Sequence, residues 1–114
     1  MDWFLPGYKA GGPIRSVANM VRALSEDFDF YIVTRNTDLS DDEPYKNIEP
    51  NKWCEKYNAH VYYLSIDNYS KDKIKTLIGE RNYDVMYLNS LYSSQYALIP
   101  LRIRNKHFPN LKTV

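Results

Sequence analysis

Apolar positions recur along this chain with two different periods, and each change of period marks an element. Ile14, Val17, Ala18, Val21 and Leu24 fall on one stripe of a helix running from 13 to 24 or 25. Arg15, Ser16, Asn19, Arg22 and Glu26 interrupt that stripe and form its wet face. Residues 28–34 follow as a strand rich in aromatic and β-branched side chains. The apolar run 31–33 predicts burial on both faces, as in a parallel sheet. Residues 60–65 predict a second strand. Ser70 is placed to cap a helix over 71 to 79 or 81, with Ile74, Leu77 and Ile78 inward. A compact strand over 85–89 comes next, then a helix through Tyr96 and Ile103 that Pro100 either kinks or restarts. Residues 111–114 begin a last strand.

Strands alternating with helices predict an α/β fold with right-handed crossovers. The expected architecture is Rossmann-like: an open, mostly parallel sheet with helices on both faces, in a single domain over 1–114. Residues 35–58 are an irregular excursion, too long without structure to be an ordinary connection. A short helix over 53–57 is expected inside it, with Trp53 either anchoring the excursion or lining a cleft. The acidic run 38–43 is expected to be solvated. Residues 1–5 are too short for the strand that such a fold places before its first helix. Both ends are therefore expected to be truncated.

The segment on which the other elements converge is Pro6-Gly7-Tyr8-Lys9-Ala10-Gly11-Gly12-Pro13. Paired glycines allow a tight turn and close approach of a partner to the backbone. Pro13 suits the first turn of a helix. This loop either starts the helix and does no more, or presents free N–H groups to an anion. It matches neither the dinucleotide fingerprint nor the longer glycine loop ending in Gly-Lys-Ser/Thr.

Composition narrows the function. Fifteen Lys and Arg against 14 Asp and Glu give a formal charge of +1, so no whole-chain field draws nucleic acid. Lys71, Lys73 and Lys75 enclose Asp72 and read as a solvated helix face. Cys54 is the single cysteine, which excludes an internal disulfide and fits a cytoplasmic setting. His60 and His107 have no partners at metal-ligand spacing, so neither a metal nor another cofactor is expected. No nucleophile elbow is present.

In an open parallel sheet, ligands bind beyond the C-terminal ends of the strands. The glycine loop, the loop after Thr34 and the segment Asn89-Ser90 are expected to meet there. Asn89 and Ser90 serve either as ligand contacts or as caps of the next helix. Arg15 places a cation at a helix N-terminus, against the dipole, which an anionic ligand or plain solvation offsets.

The segment Phe4-Leu5-Pro6-Gly7-Tyr8-Lys9-Ala10-Gly11-Gly12-Pro13-Ile14-Arg15-Ser16, followed by Asn19 and Ala23-Leu24, resembles the N-terminal signature of group 1 (family 4) glycosyltransferases. Tyr83-Asp84-Val85-Met86-Tyr87-Leu88-Asn89-Ser90-Leu91-Tyr92-Ser93 resembles a later strand and loop of that domain. The resemblance implies two Rossmann-like domains facing across a cleft, with metal-free, retaining transfer of a sugar from a nucleotide-sugar donor. Gly11 and Gly12 would then face the donor diphosphate through their N–H groups, and Arg15 would face the same phosphates or an acidic acceptor. Tyr8, Lys9, Asn89, Ser90 and Tyr92 would fall on the acceptor side. Many relatives carry a histidine or glutamate where Asn89 and Ser90 stand.

This chain would be the acceptor-side fragment, inactive alone and without catalytic residues of its own. The nucleotide sugar would be shared with a missing C-terminal domain bearing paired glutamates. A carbohydrate or lipid-linked acceptor, peripheral attachment of the parent at the inner membrane and self-association through exposed sheet edges are further expectations. The alternatives are a stand-alone flavodoxin-like module binding another small anion or a protein, and an inert scaffold.

Overall fold

The computed structural model describes residues 1–89 and 92–114; Ser90 and Leu91, named above, lie outside the described residues. The chain is α/β, with a small mixed sheet, a two-stranded parallel sheet and helices, and its described residues form two units. The first comprises Met1 and residues 3–67, the second Asp2 and residues 68–114.

The first unit contains helix α1 (Gly12–Leu24) and three strands, β1 (Tyr31–Arg35), β2 (Trp53–Lys56) and β3 (Ala59–Leu64). Their spatial order is β1-β3-β2. β3 pairs parallel to β1, with Ile32 opposite Val61, and antiparallel to β2, with Cys54 opposite Val61. Being central, β3 is buried on both faces: Val61 and Tyr63 are fully covered, and so are Tyr62 and Leu64 on the other side. One face carries Ile32, Ala59, Val61 and Tyr63, and α1 lays Val17 and Val21 on it. The other face is aromatic. Tyr31 stacks on His60 at 4.5 Å, and Trp53 sets its ring edgewise to Tyr31 (5.5 Å) and Tyr62 (5.3 Å).

The segment expected as a helix around Trp53 is instead β2, the edge strand of a hairpin. Tyr57 and Asn58 make its two-residue turn, both with positive φ (55° and 62°), as a type I′ turn requires. Asn tolerates that conformation, whereas Tyr adopts it only because the strand pairing on either side fixes it. Trp53 anchors the excursion to the sheet. Asn51 fastens its entry: its side chain accepts from the Ser65 N–H at 3.0 Å, and its own N–H donates to the Tyr63 carbonyl at 2.8 Å.

Residues 1–5 form no strand, yet Phe4 enters the core, and Met1 and Leu5 pack against it. Phe4 is completely buried with Val17, Val21 and Val61 and meets Tyr57 edge to face.

The second unit runs α2 (Lys71–Gly79), β4 (Val85–Met86), a π-helical turn (Ser94–Leu98), α3 (Ile99–His107) and β5 (Lys112–Thr113). Ser70 caps α2, accepting from the Lys73 N–H at 3.0 Å, as its position predicts. Pro100 restarts the helix in the first turn of α3. α2 packs on α3, and Phe108 lies over Gly79, where a Cβ would come within 2.8 Å of its ring. β4 pairs parallel to β5, but only residues 85 and 86 of the expected 85–89 are strand. No helix among the described residues is long and apolar enough to cross a membrane.

Two predictions follow from the first unit. Phe4→Ala is expected to cost about 3–5 kcal/mol in chemical denaturation, the range for emptying a core aromatic site. A change under about 0.5 kcal/mol, normal for a loose surface position, would contradict the placement of residues 1–5. The second concerns alkali. Burial pushes the Tyr45 and Tyr63 phenols well above the ordinary 10.0. The fold therefore favours their neutral forms, and that contribution is complete below pH 10 and lost as pH rises beyond it. The urea midpoint is expected to be level from pH 8 to 9 and to fall above pH 10, and Tyr63→Phe should flatten that fall.

Candidate functional site

The glycine loop is held from both ends before it reaches α1. Tyr63, rising from the centre of β3, donates its hydroxyl to the Leu5 carbonyl at 2.6 Å. The Gly7 N–H then turns back to the Phe4 carbonyl at 2.9 Å. Beyond Gly7, the Tyr8 N–H donates to Asp38 Oδ2 at 3.0 Å, and the Lys9 N–H lies 3.3 and 3.4 Å from the two carboxylate oxygens. Asp38 sits in the loop that leaves β1, so two of the three segments expected to converge do so.

The acidic run is thus divided. Asp38 is only 6% exposed, in place of the solvation expected for it, whereas Asp41, Asp42 and Glu43 stay in solvent. The loop closes on itself to keep Asp38 in place, with the Tyr45 N–H on the Asn36 carbonyl at 2.9 Å and Thr37 bridged to Pro44. Tyr45 folds over Tyr63 edge to face at 5.8 Å. Its hydroxyl is buried without a hydrogen-bond partner among the described residues.

Gly7 is what allows this packing. A Cβ there would lie inside contact distance of the Tyr45 hydroxyl and 3.0 Å from both Asp38 Oδ1 and the Phe4 carbonyl oxygen. Gly11 is a glycine for a different reason. Its φ of 70° and ψ of −118° suit only a residue without a Cβ, and its N–H closes a turn on the Tyr8 carbonyl at 3.0 Å. Gly11 therefore spends its donor inside the loop.

The open donors come next. Pro13 has no N–H, and the N–H groups of Gly12 and Ile14 donate to no backbone carbonyl among the described residues. Around Gly11 and Gly12 there is open space, with no atom within 4 Å of where a Cβ would stand. The first turn of α1 contains no acidic residue and does contain exposed Arg15, which forms no ion pair among the described residues. Two N–H donors, the positive end of a 13-residue helix and a guanidinium can together hold an anion.

Tyr8 is largely exposed beside this loop. Lys9 is committed elsewhere: its ammonium pairs with Asp41 at 2.5 Å, and that hydrogen bond raises its pKa above the ordinary 10.5. Asn89 and Tyr92 belong to the second unit, where Asn89 is half-buried and Tyr92 is nearly fully exposed. The helical turn after them is capped by Ser93, which accepts from the Tyr96 N–H at 3.0 Å and donates to Asp2 at 2.9 Å. Asn89 does not fill the capping role open to it. Ser90 lies outside the described residues.

Among the described residues no three His, Cys, Asp or Glu side chains converge on a metal-sized site. The second unit has an open groove of about 540 Å³ lined by Asp72, Lys75, Thr76, Gly79, Glu80 and Phe108, none of them expected from sequence to line a site. The Ile14 N–H and Asp38 were missed from sequence. Every residue has a backbone donor, so only the loop geometry distinguishes Ile14. Asp38 had one usable signal, its place four residues beyond the strand expected over 28–34. Compared with known proteins, the chain matches no family model, no curated protein and no solved structure.

The three glycines are expected to respond differently to alanine. Gly7→Ala must displace Tyr45 or Asp38 and should cost about 1–3 kcal/mol, the range for core overpacking. Gly11→Ala is strained by its backbone and should cost about 1–3 kcal/mol. Gly12→Ala meets no neighbour and should lie within about 0.5 kcal/mol of the parent. Thermal or urea denaturation of the three variants ranks them, and equal losses at Gly7 and Gly12 would contradict this packing.

Proposed function

We propose that this chain is the acceptor-side, Rossmann-like part of a retaining glycosyltransferase, and that the N-terminus of α1 receives the donor's diphosphate. One observation carries the reading. The Gly12 and Ile14 N–H groups have no backbone acceptor at a helix start that has no acidic residue in its first turn and has Arg15 beside it; Gly12 is exposed, and the Ile14 side chain is packed inward. Such donors are fixed before the ligand arrives. They stabilise charge that builds on a departing phosphate without reorganising at the moment of reaction. Support also comes from the resemblance of residues 4–16 and 83–93 to the glycosyltransferase signature.

The division of labour differs from a simple pair of donor glycines. Gly11 shapes the loop, while Gly12 and Ile14 supply the N–H groups and Arg15 the charge. Tyr8 offers an exposed ring suited to a sugar face, and Lys9, paired with Asp41, helps hold the loop more than it meets ligand. The donor nucleotide would be held by a second domain, so the isolated chain is expected to bind a diphosphate weakly and to turn over no nucleotide sugar.

The test is an amide-resolved NMR titration with inorganic pyrophosphate, repeated with uridine diphosphate. Shifts centred on Gly12, Ile14 and Arg15 are expected, with affinity falling as salt rises. Arg15→Ala should weaken binding about tenfold, the loss of one charge-assisted contact. No shift at Gly12 or Ile14 with either probe would contradict the proposal. Equal shifts with pyrophosphate and simple phosphate, and none specific to the nucleotide, would favour a small-anion module instead.

A further inference from the structure

We propose that Asp38 is the positioning residue of the anion-facing loop, holding residues 8–11 in the conformation that leaves the Gly12 and Ile14 N–H groups without a backbone acceptor. This rests on the function proposed above. Asp38 is a buried carboxylate that accepts from the backbone N–H groups of Tyr8, Lys9 and Leu39. Oδ2 accepts from Tyr8 at 3.0 Å, Oδ1 accepts from Leu39 at 2.8 Å, and Lys9 lies across both oxygens. A carboxylate this covered is costly to bury unless its oxygens are satisfied, and charge-assisted bonds to N–H donors satisfy them.

What these bonds hold is not the sheet. Tyr8 and Lys9 lie about 30 residues away in sequence, in a segment without strand or helix. The Lys9 N–H and the Tyr8 carbonyl share one peptide plane, so holding the Lys9 N–H on Asp38 orients the Tyr8 carbonyl, which is the acceptor for Gly11. The order of dependence runs from Asp38 to the Tyr8–Lys9 peptide, from its carbonyl to Gly11, and from the positive φ of Gly11 to the unpaired donors at Gly12 and Ile14. Lys9 adds a second tie from the same acidic run through Asp41. Gly7 has no Cβ, which leaves Asp38 and Tyr45 room to approach. A loop ordered in advance spares the ligand the entropy of ordering it.

Asp38→Asn tests this in the full chain. The side chain keeps its size, but one acceptor oxygen becomes an NH₂ group facing N–H donors. Amide hydrogen exchange at Tyr8, Lys9 and Gly11 is read against β3 amides, and pyrophosphate affinity is measured in the same samples. Exchange is expected to rise about tenfold in the loop and stay unchanged in β3, with affinity falling about tenfold. Unchanged loop exchange, an equal rise in β3, or unchanged affinity would each overturn the proposal. If the parent chain binds no pyrophosphate, the functional reading fails, and the exchange comparison alone decides whether Asp38 orders the loop. Should Asp38→Asn not fold, Asp38→Glu, which keeps the charge on a longer stem, is judged by the same comparison.

Discussion

The first unit depends on the burial of β3 from both sides. Val61 and Tyr63 close the face under α1, and Tyr62 and Leu64 close the other. A strand in that position fixes register strictly, because a slip of one residue would exchange its two faces. With β3 fixed, β1 and β2 have one pairing each, and the loop leaving β1 has one place to go. The Tyr63 hydroxyl carries that order out of the sheet to Leu5, where the glycine loop begins.

From there the loop is arranged by polar contacts. Gly7, Gly11 and Gly12 have separate duties: room for packing, a backbone conformation, and exposure. Gly7 is buried, while Gly11 and Gly12 both face outward, and of these two only Gly12 has an N–H without a backbone acceptor. A helix N-terminus always leaves donors unsatisfied, so the telling features here are the lack of an acidic cap and the open space beside it. Half of the acidic residues of 38–43 are either buried on backbone N–H groups, as at Asp38, or paired with Lys9, as at Asp41. Arg15 remains the cation facing solvent at that helix end.

How much of this was legible in the sequence depended on whether local pattern or distant contact decided the outcome. α1 was legible because Ile14, Val17 and Val21 repeat at helical spacing and Pro13 marks the start. The cap at Ser70 was legible for the same local reasons. The strand at Trp53 was not, since Tyr57-Asn58 is an unusual hairpin turn and its positive φ values come from pairing with β3. Residues 1–5 gave too short a run for a strand, and nothing local says that Phe4 enters the core. The glycine loop was legible as a candidate site. That the Gly11 N–H is used within the loop, and that Asp38 lies beneath it, depend on contacts across about 30 residues that no local pattern encodes.

The central claim is that the start of α1 is a diphosphate site. A crystal structure of the chain with uridine diphosphate would test it most directly. The account predicts phosphate oxygens within about 3 Å of the Gly12 and Ile14 nitrogens, with the Arg15 guanidinium turned toward them. Phosphates bound elsewhere, with no contact to the Gly12 and Ile14 N–H groups, would contradict it.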